Sequence, residues 1–224
     1  MGNDAAPRLK ESVPYHHKSY GFTPPQEVKM TEKNTATIKD LCKKVKRGAS
    51  SFYLKEGTTA LKVIRHANIT ENGVIDFPSI EPVLVRESDR TMENLLKEGD
   101  VLIALRGPAK VAVVPKEGAG FAFSAEFAAL EIDSERIRPE LIAAYLRLPH
   151  IRSYLEEKGQ GRTLRSINIQ DVLDLTVSIP DNDAQSRLAE LLKTVAEERA
   201  VVLREQKRID ELEAASLTNH LGGV

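Results

Sequence analysis

The clearest strand pattern in the chain is LLKEGDVLIALRGPAKVAVVP, residues 95 to 115. A turn at Glu98-Gly99-Asp100 precedes the apolar run VLIALRG. A break at Gly107-Pro108 separates this run from a second apolar run, AKVAVVP. Short apolar runs bounded by glycine and proline are typical of β-strands, so we predict two strands here.

Further strand patterns lie on both sides of this stretch. Before it, VIRHANITENGVIDF (63–77) begins as a strand, turns at ENG (71–73) and resumes as a second strand. The stretches ALKVIRHANI and EPVLVRES also alternate or run as short strands do. After it, FAFSAEFAALEI alternates around Phe121, Phe123 and Phe127. The centre of the chain is therefore rich in strands.

Near the start of this region, TATIKDLCKKV favours a helix. Its apolar residues Ile38, Leu41 and Val45 recur at helical spacing, and Thr35 or Thr37 can cap the first turn. This helix is predicted to precede the strands.

Two more helices follow the strands. Pro139 and Pro149 each suit a first helical turn, and Gly159 is expected to stop the second helix. The inward faces are predicted to carry Leu141, Ile142, Tyr145 and Leu146 in the first helix, and Ile151, Tyr154 and Leu155 in the second. RTLRSINIQDVLDLTVSIP then indicates a basic loop, a short helical turn and a closing strand over residues 175–179.

The last segment predicts one long helix. No proline or glycine occurs from Ala184 to Leu221, and Asn182 with Gln185 fits a capping box. Such a helix would be about 57 Å long at about 1.5 Å per residue, more than a domain of this size needs for its own core. An apolar repeat of seven residues asks for a second helix beside it. The predicted dimerisation residues are Leu188, Leu191, Val195, Val202, Ile209 and Leu212.

Composition narrows the function classes. The chain has 224 residues, 41% of them hydrophobic, and a net charge of -1, which argues against a uniformly basic protein but allows a basic face. The single cysteine excludes an internal disulfide and a cysteine metal cluster, and it fits a cytoplasmic location. Neither a signal peptide nor a membrane-spanning run is evident. Residues 1–30, with scattered prolines, are predicted to be a flexible leader.

Motifs for catalysis are missing. The sequence contains neither a GxxxxGK[ST] phosphate loop, nor a GxGxxG fingerprint after a strand, nor a GxSxG elbow. Glu156-Glu157-Lys158 contains the Glu-x-Lys pattern of many nucleases, but it lies at a predicted helix end without an upstream acidic partner. We therefore expect no catalytic residue, no metal site and no cofactor in this chain, and we keep a nuclease as an alternative.

Positive charge gathers in the predicted loops. Basic side chains on loops of an α/β scaffold suit DNA phosphates, and the polar side chains among them can reach base edges. The alternative is that these are ordinary solvated loop charges. The candidate DNA-binding residues are Lys46, Arg47, Ser50, Ser51, Lys62, Arg65, His66, Asn68, Asn72, Arg106, Lys110, Arg162, Arg165, Ser166 and Asn168.

The order of these elements resembles the DNA specificity (S) subunits of type I restriction–modification systems over about residues 35–220. The family pattern is a Gly-Asp-hydrophobic-Leu-Ile strand, an Arg-Gly turn, a helix pair, an Ile-x-x-x-x-Leu turn, an Ile-Pro strand end and a Gln-x-x-(Ile/Leu) helix start. The matching positions here are Gly99 to Ile103, Arg106-Gly107, Ile169 to Leu173, Ile179-Pro180 and Gln185 to Leu188.

The resemblance implies a domain plan and partners. The expected fold is α/β (α+β): a target recognition domain over 31–181, with a mixed, strongly twisted sheet and small helices, then a long coiled-coil helix over 182–224. Family members usually carry two such domains, so this chain looks like a half-subunit that pairs as a homodimer and reads a split palindrome in double-stranded DNA. A methyltransferase (M) subunit, which uses S-adenosylmethionine, would methylate adenine. A restriction (R) subunit, which would need ATP and Mg, is a further possible partner. A protein-binding scaffold remains the alternative from another class.

Overall fold

A computed structural model describes residues 34–50, 57–85, 92–159 and 166–221. The predicted leader, residues 1–30, lies outside these ranges. The described strands are β1 (Thr35–Thr37), β2 (Cys42–Arg47), β3 (Thr59–Ile64), β4 (Pro82–Val85), β5 (Val101–Ala104), β6 (Val111–Val113), β7 (Ala122–Phe123), β8 (Phe127–Ile132) and β9 (Thr176–Ser178). The described helices are α1 (Pro139–Leu146), α2 (Pro149–Lys158), α3 (Ile169–Leu173) and α4 (Asn182–Leu221). The predicted α/β fold with a long C-terminal helix is confirmed.

The strands form three sheets within the described ranges, where the sequence predicted one mixed sheet. The central sheet is antiparallel in the order β2-β8-β5-β6. A second sheet, β4-β3-β7, is mixed, because β3 pairs antiparallel with β4 and parallel with β7. A two-stranded ribbon joins β1 and β9. Strands distant in sequence pair in all three sheets, and residue patterning alone cannot predict that pairing.

The central strands β5 and β8 are buried along nearly their whole length, so both faces of the sheet are covered there, which explains their apolar runs. In β5, Val101 and Ile103 pack with the helix side chains Ile142 and Leu146. The alternate residues of β5, including Leu102, face a second buried cluster around Phe123 and Phe127. The residues of this cluster are Ile64, Ile69, Ile75, Ile80, Leu96, Leu102, Ala104, Ala112, Val114, Phe123, Phe127 and Ala129. Because side chains alternate across a strand, both halves of VLIA are needed for the core.

The turn before β5 forms as predicted. Gly99 has a φ of +84°, and its N–H donates to the carbonyl of Val114 at 2.8 Å. A side chain at such a φ is disfavoured, so the glycine suits this turn. The predicted strands β5 and β6, the break at residues 107–108, and the helices α1 to α3 are confirmed in the same way.

The predicted helix over TATIKDLCKKV is wrong. The segment forms β1, a 3-10 turn over Lys39–Leu41, and β2. Thr37 Oγ1 accepts the N–H of Asp40, so the threonine caps only this short turn. Ile38 and Leu41 are both buried, because a single turn places residues three apart on one side. The strand then pairs with β8, a contact more than eighty residues away that overrides the local helical spacing.

Two smaller predictions also fail. The turn at residues 71–73 forms, but the second strand after it is reduced to one bridge, Ile69 to Ile75, before a 3-10 turn begins at Phe77. Tyr154 does not face inward, since it is 43% exposed on α2, whereas Ile151 and Leu155 are buried as expected.

The long helix α4 has 40 residues, which corresponds to about 60 Å. Its N-cap is Asp181 and not Asn182, because Asp181 Oδ1 accepts the N–H of Ala184 at 2.7 Å. Gln185 turns inward and does not complete a capping box. None of the described helices combines the length and the apolar character needed to cross a membrane.

Candidate nucleic-acid interface

The ends of β2, β3 and β5 meet around one turn, residues 124–126. Arg47, the last residue of β2, lies opposite the second residue of β8, and the last residue of β5 lies opposite the first. Ile64, the last residue of β3, lies opposite Phe123, which leads into the turn. The structure therefore brings Arg47, Arg65 and Arg106 to one end of the domain, although up to 59 positions separate them in the sequence.

A cleft of about 570 Å³ opens at this end. Five of the predicted DNA-binding residues line it, together with Asn94, which the sequence did not single out. Apolar side chains that include Phe123 and Phe127 complete its walls. The polar lining residues are Arg47, Ser50, Asn94, Arg106, Ser166 and Asn168.

Backbone contacts between distant segments hold the cleft. The N–H of Ala49 donates to the carbonyl of Phe123 at 2.8 Å, and the N–H of Ala125 returns a bond to the carbonyl of Ala49 at 2.9 Å. On the other wall, Ile167 N–H donates to the carbonyl of Leu105 at 2.9 Å. Gly48 is required where the chains approach, because a Cβ there would lie 2.1 Å from the Ser124 carbonyl oxygen.

The arginines at this end are exposed, and none of them forms an ion pair with another described residue. Two ion pairs of exposed lysines lie toward the opposite ends of these strands, where Lys43 Nζ is 3.0 Å from Asp133 and Lys97 Nζ is 2.9 Å from Glu131. Each lysine holds the pKa of its partner carboxyl below the usual range through a hydrogen bond. Three arginines without a carboxylate partner in the described ranges can therefore take an external anion such as a phosphate.

Residues 30–214 match the family model of the type I restriction modification DNA specificity domain. The chain belongs to this family. The resemblance inferred from the motifs is therefore confirmed.

Two solved structures share the fold of this specificity domain. One is the HsdS subunit from Thermoanaerobacter tengcongensis, with 21% identity and a TM-score of 0.57 over 85% of this chain and 50% of that one. The other is a chain from work on complex assembly and conformational transition of the type I R-M system, with 20% identity and a TM-score of 0.60 over 87% and 52%. The chain spans about half the length of each. No curated protein matched the sequence.

The Gly-Asp motif of the family has a structural role here. Asp100 Oδ2 lies 2.5 Å from Nζ of Lys46, and both side chains are 1% exposed. Burial raises the pKa of Asp100, while the bond from Lys46 and the N–H of Lys97 oppose that rise. Glu131 also lies 3.5 Å from the lysine. Lys46 is therefore a core counter-ion, which corrects its prediction as a DNA-binding residue.

Asn68 and Lys110, two of the candidate DNA-binding residues, also have structural roles within the domain. Asn68 is buried, accepts the N–H of Arg65 at 2.8 Å and donates to Ser79 Oγ at 2.9 Å. Lys110 Nζ donates to the carbonyls of His66 at 3.0 Å and Ile69 at 2.5 Å. These bonds shape the segment after β3 and carry Arg65 to the cleft end.

The remaining candidate DNA-binding residues lie away from the lining of the cleft or outside the described residues. His66 stacks on Phe127 with 5.9 Å between ring centroids, and its Nε2 lies 3.0 Å from the carbonyl of Pro108. Asn72 is exposed at the turn of residues 71–73, where its carbonyl accepts from Arg147. The ammonium of Lys62 lies over the Phe121 ring. Ser51, Arg162 and Arg165 lie outside the described residues.

Gln185, the glutamine of the family helix start, fixes the base of α4. Its side chain is 4% exposed and makes three hydrogen bonds. Oε1 accepts the N–H of Arg138 at 2.9 Å, and Nε2 donates to the carbonyls of Arg136 and Pro180, both at 3.0 Å. The helix therefore leaves the domain in a direction that this amide helps to set.

Beyond its base, the long helix exposes its apolar row. No described part of the chain covers these side chains. Their exposed fractions are Leu188 42%, Leu191 57%, Val195 38%, Val202 65%, Ile209 56% and Leu212 63%.

The residues behind the nuclease alternative lie apart from the cleft. Glu156 and Glu157 are exposed near the end of α2, and Lys158 Nζ lies 5.6 Å from the centroid of the Tyr154 ring. Among the described residues, no group of three or more His, Cys, Asp or Glu side chains is arranged to hold a metal ion.

Proposed function

We propose that this chain is the sequence-specific DNA-binding subunit of a type I restriction–modification adenine methyltransferase complex. The observation that carries the proposal is the cleft lined by Arg47 and Arg106, with Arg65 at the same end of the domain, and none of these arginines forms an ion pair among the described residues. Its polar side chains, Ser50 and Asn168 among them, can reach base edges while the arginines contact phosphates. We assign residues 31–181 to target recognition and 182–224 to the spacer.

The apolar row of α4 supports a homodimer. Leu188, Val195, Val202 and Ile209 repeat every seven residues and are at least 38% exposed in the single chain. A second copy would cover them, since a repeat of this kind favours helix pairing. Two symmetric clefts would then read two half-sites, and a spacer of about 60 Å exceeds the ~34 Å of one DNA turn. The proposed target is a split palindrome.

Catalysis in this proposal belongs to partners. A methyltransferase subunit, which binds S-adenosylmethionine, would flip out and methylate an adenine near each half-site. A restriction subunit, which would use ATP and Mg, would join the same cytoplasmic complex. This chain would give both partner subunits their DNA target.

A methylome tests the proposal. The chain is co-expressed with its methyltransferase subunit, and host DNA is sequenced for modified adenine with and without the chain. We expect a split palindrome that is methylated only when the chain is present. A split but asymmetric motif would replace the homodimer with a pair of different subunits. No methylation by a soluble, associated complex would overturn the specificity role.

The exposed row of α4 also supports a second candidate, a scaffold that binds only protein. DNA affinity separates the two functions. A specificity subunit should bind duplex DNA, and its affinity should fall steeply as salt rises, because phosphate contacts release counterions. A scaffold should show no such binding.

A further inference from the structure

The turn at the centre of the cleft end carries a carboxylate, Glu126. The backbone holds this turn from three sides. Ser124 N–H donates to the carbonyl of Ile64 in β3 at 3.0 Å, and Phe127 N–H donates to the carbonyl of Ser124 at 3.1 Å. Leu105 N–H donates to the carbonyl of Glu126 at 2.7 Å. Glu126 thus lies between the strand ends that carry the arginines.

The side chain of Glu126 is oriented by a buried hydroxyl. Ser124 is 8% exposed, and its Oγ donates to Glu126 Oε2 at 3.1 Å. The glutamate itself is exposed, and its other oxygen, Oε1, accepts no hydrogen bond from a described residue. One oxygen is therefore held by the protein while the other points to no described donor.

A carboxylate is unexpected on a surface that binds phosphates. Nearby Arg47 and Arg106 would be neutralised by an ion pair with it, yet no such pair forms among the described residues. A carboxylate repels phosphate, so it lowers general affinity for DNA. The carboxylate is suited instead to bind a hydrogen-bond donor of the DNA, since an ionised carboxylate only accepts hydrogen bonds.

Two base groups donate hydrogen bonds in the major groove, the N4 amino group of cytosine and the N6 amino group of adenine. Adenine also presents the N7 acceptor beside its amino group, which would repel the carboxylate. Cytosine presents no acceptor next to N4. The paired guanine offers two acceptors that suit an arginine. A carboxylate flanked by arginines therefore matches a C·G pair best.

We propose that Glu126 is a specificity-determining residue that accepts a hydrogen bond from the N4 amino group of a cytosine in the target DNA. The inference rests on the proposed DNA-binding function. Ser124 acts as a positioning residue for this contact.

Selection from a pool of randomised DNA duplexes tests the inference with the full chain. The wild type should select cytosine at one position of each half-site. Glu126→Gln should reduce that preference about tenfold and shift it toward adenine, because an amide matches adenine. Other positions should keep their preference. Glu140→Gln removes the same charge from an exposed site on α1 and should select as the wild type does.

The outcomes separate this inference from the proposed function. A wild-type chain that selects no sequence would overturn both. A wild type that selects a sequence, with Glu126→Gln selecting the same one, would overturn only the role of Glu126. An equal loss of base preference at every position for Glu126→Gln would show that the carboxylate acts on overall DNA affinity, and it would overturn the proposed contact with cytosine. Ser124→Ala should weaken the preference at that same position of each half-site, and a change elsewhere would contradict its positioning role.

Discussion

Replacing Lys46 with methionine would test the buried ion pair that joins β2 to the Gly-Asp turn. Methionine keeps the apolar stem of the lysine and removes its charge. Asp100 would then stay 1% exposed, with Oδ2 bound only to the N–H of Lys97 at 2.8 Å. Its Oδ1 already has no hydrogen-bond partner among the described residues. The variant would leave a buried carboxylate without a counter-ion.

The expected loss is about 3–5 kcal/mol in the free energy of unfolding, the usual cost of removing one member of a buried pair. Lys46→Met combined with Asp100→Asn should recover most of it and lie within about 1–2 kcal/mol of the wild type, because the amide oxygen still accepts from Lys97. Lys44→Met, on an exposed lysine of the same strand, should cost no more than about 0.5 kcal/mol.

The loss should depend on pH. Burial already raises the pKa of Asp100, and Lys46 opposes the rise, so its removal should raise that pKa further. Between the ordinary pKa of an aspartate, about 4, and the raised value, the folded variant binds a proton that the unfolded chain does not. Stability of Lys46→Met should therefore increase as pH falls through this window, and the loss should be smaller at pH 5 than at pH 8.

Urea unfolding followed by far-UV circular dichroism measures this at both pH values, since the chain has no tryptophan for fluorescence. A loss below about 1 kcal/mol at pH 8 would show that the pair contributes little in the folded state. A loss of equal size at both pH values would refute the view that Asp100 keeps an uncompensated charge.

Three further predictions follow from the interface and the helix. The double variant Val195→Glu, Val202→Glu should be a monomer of 24.8 kDa by light scattering, because both substitutions place charge on the apolar row. The control Val201→Glu, beside that row, should keep the mass of the dimer. A double variant that also keeps the dimer mass would place the contact between the chains elsewhere. Arg47→Ala and Arg106→Ala should each make the negative slope of log affinity against log salt less steep, by about 1 for each copy of the chain on the DNA, and an unaltered slope would remove them from the phosphate contacts. Gln185→Ala should lower the free energy of unfolding by about 1–3 kcal/mol, measured by urea unfolding, because it leaves an N–H and two carbonyls without their partner.

Local features of the fold were predictable from the sequence. Gly99 and the 107–108 break mark turns through glycine and proline chemistry, and Pro139 and Pro149 mark helix starts, because these residues restrict the backbone directly. The long helix was predictable for a similar reason, since its segment lacks helix breakers. Each signal acts over a few residues and needs no knowledge of the tertiary pairing.

The errors have the opposite origin. Ile38 and Leu41 are spaced as in a helix, but the chain after Leu41 pairs with β8, so this segment forms a 3-10 turn followed by a strand. Lys46 appeared as one more basic residue beside a loop, and only the fold shows Asp100 beneath it. Asn94 and Glu126 gave no sequence signal for the cleft, because the residues that surround them are distant in the chain.

The residues of the family motifs and the residues at the cleft therefore have different roles, the first in folding and the second in DNA recognition. Asp100 binds Lys46 inside the domain, and Gln185 fixes the base of the long helix, so these motif residues define the fold. The side chains at the cleft end of the domain, such as Arg47 and Glu126, are exposed, and exposed substitutions cost little stability. Lys46→Met should accordingly lower stability without changing the selected DNA sequence of the molecules that remain folded. Glu126→Gln should change that sequence at nearly constant stability. If each of the two variants changed both the stability and the selected DNA sequence, recognition and folding would share the same residues in this protein.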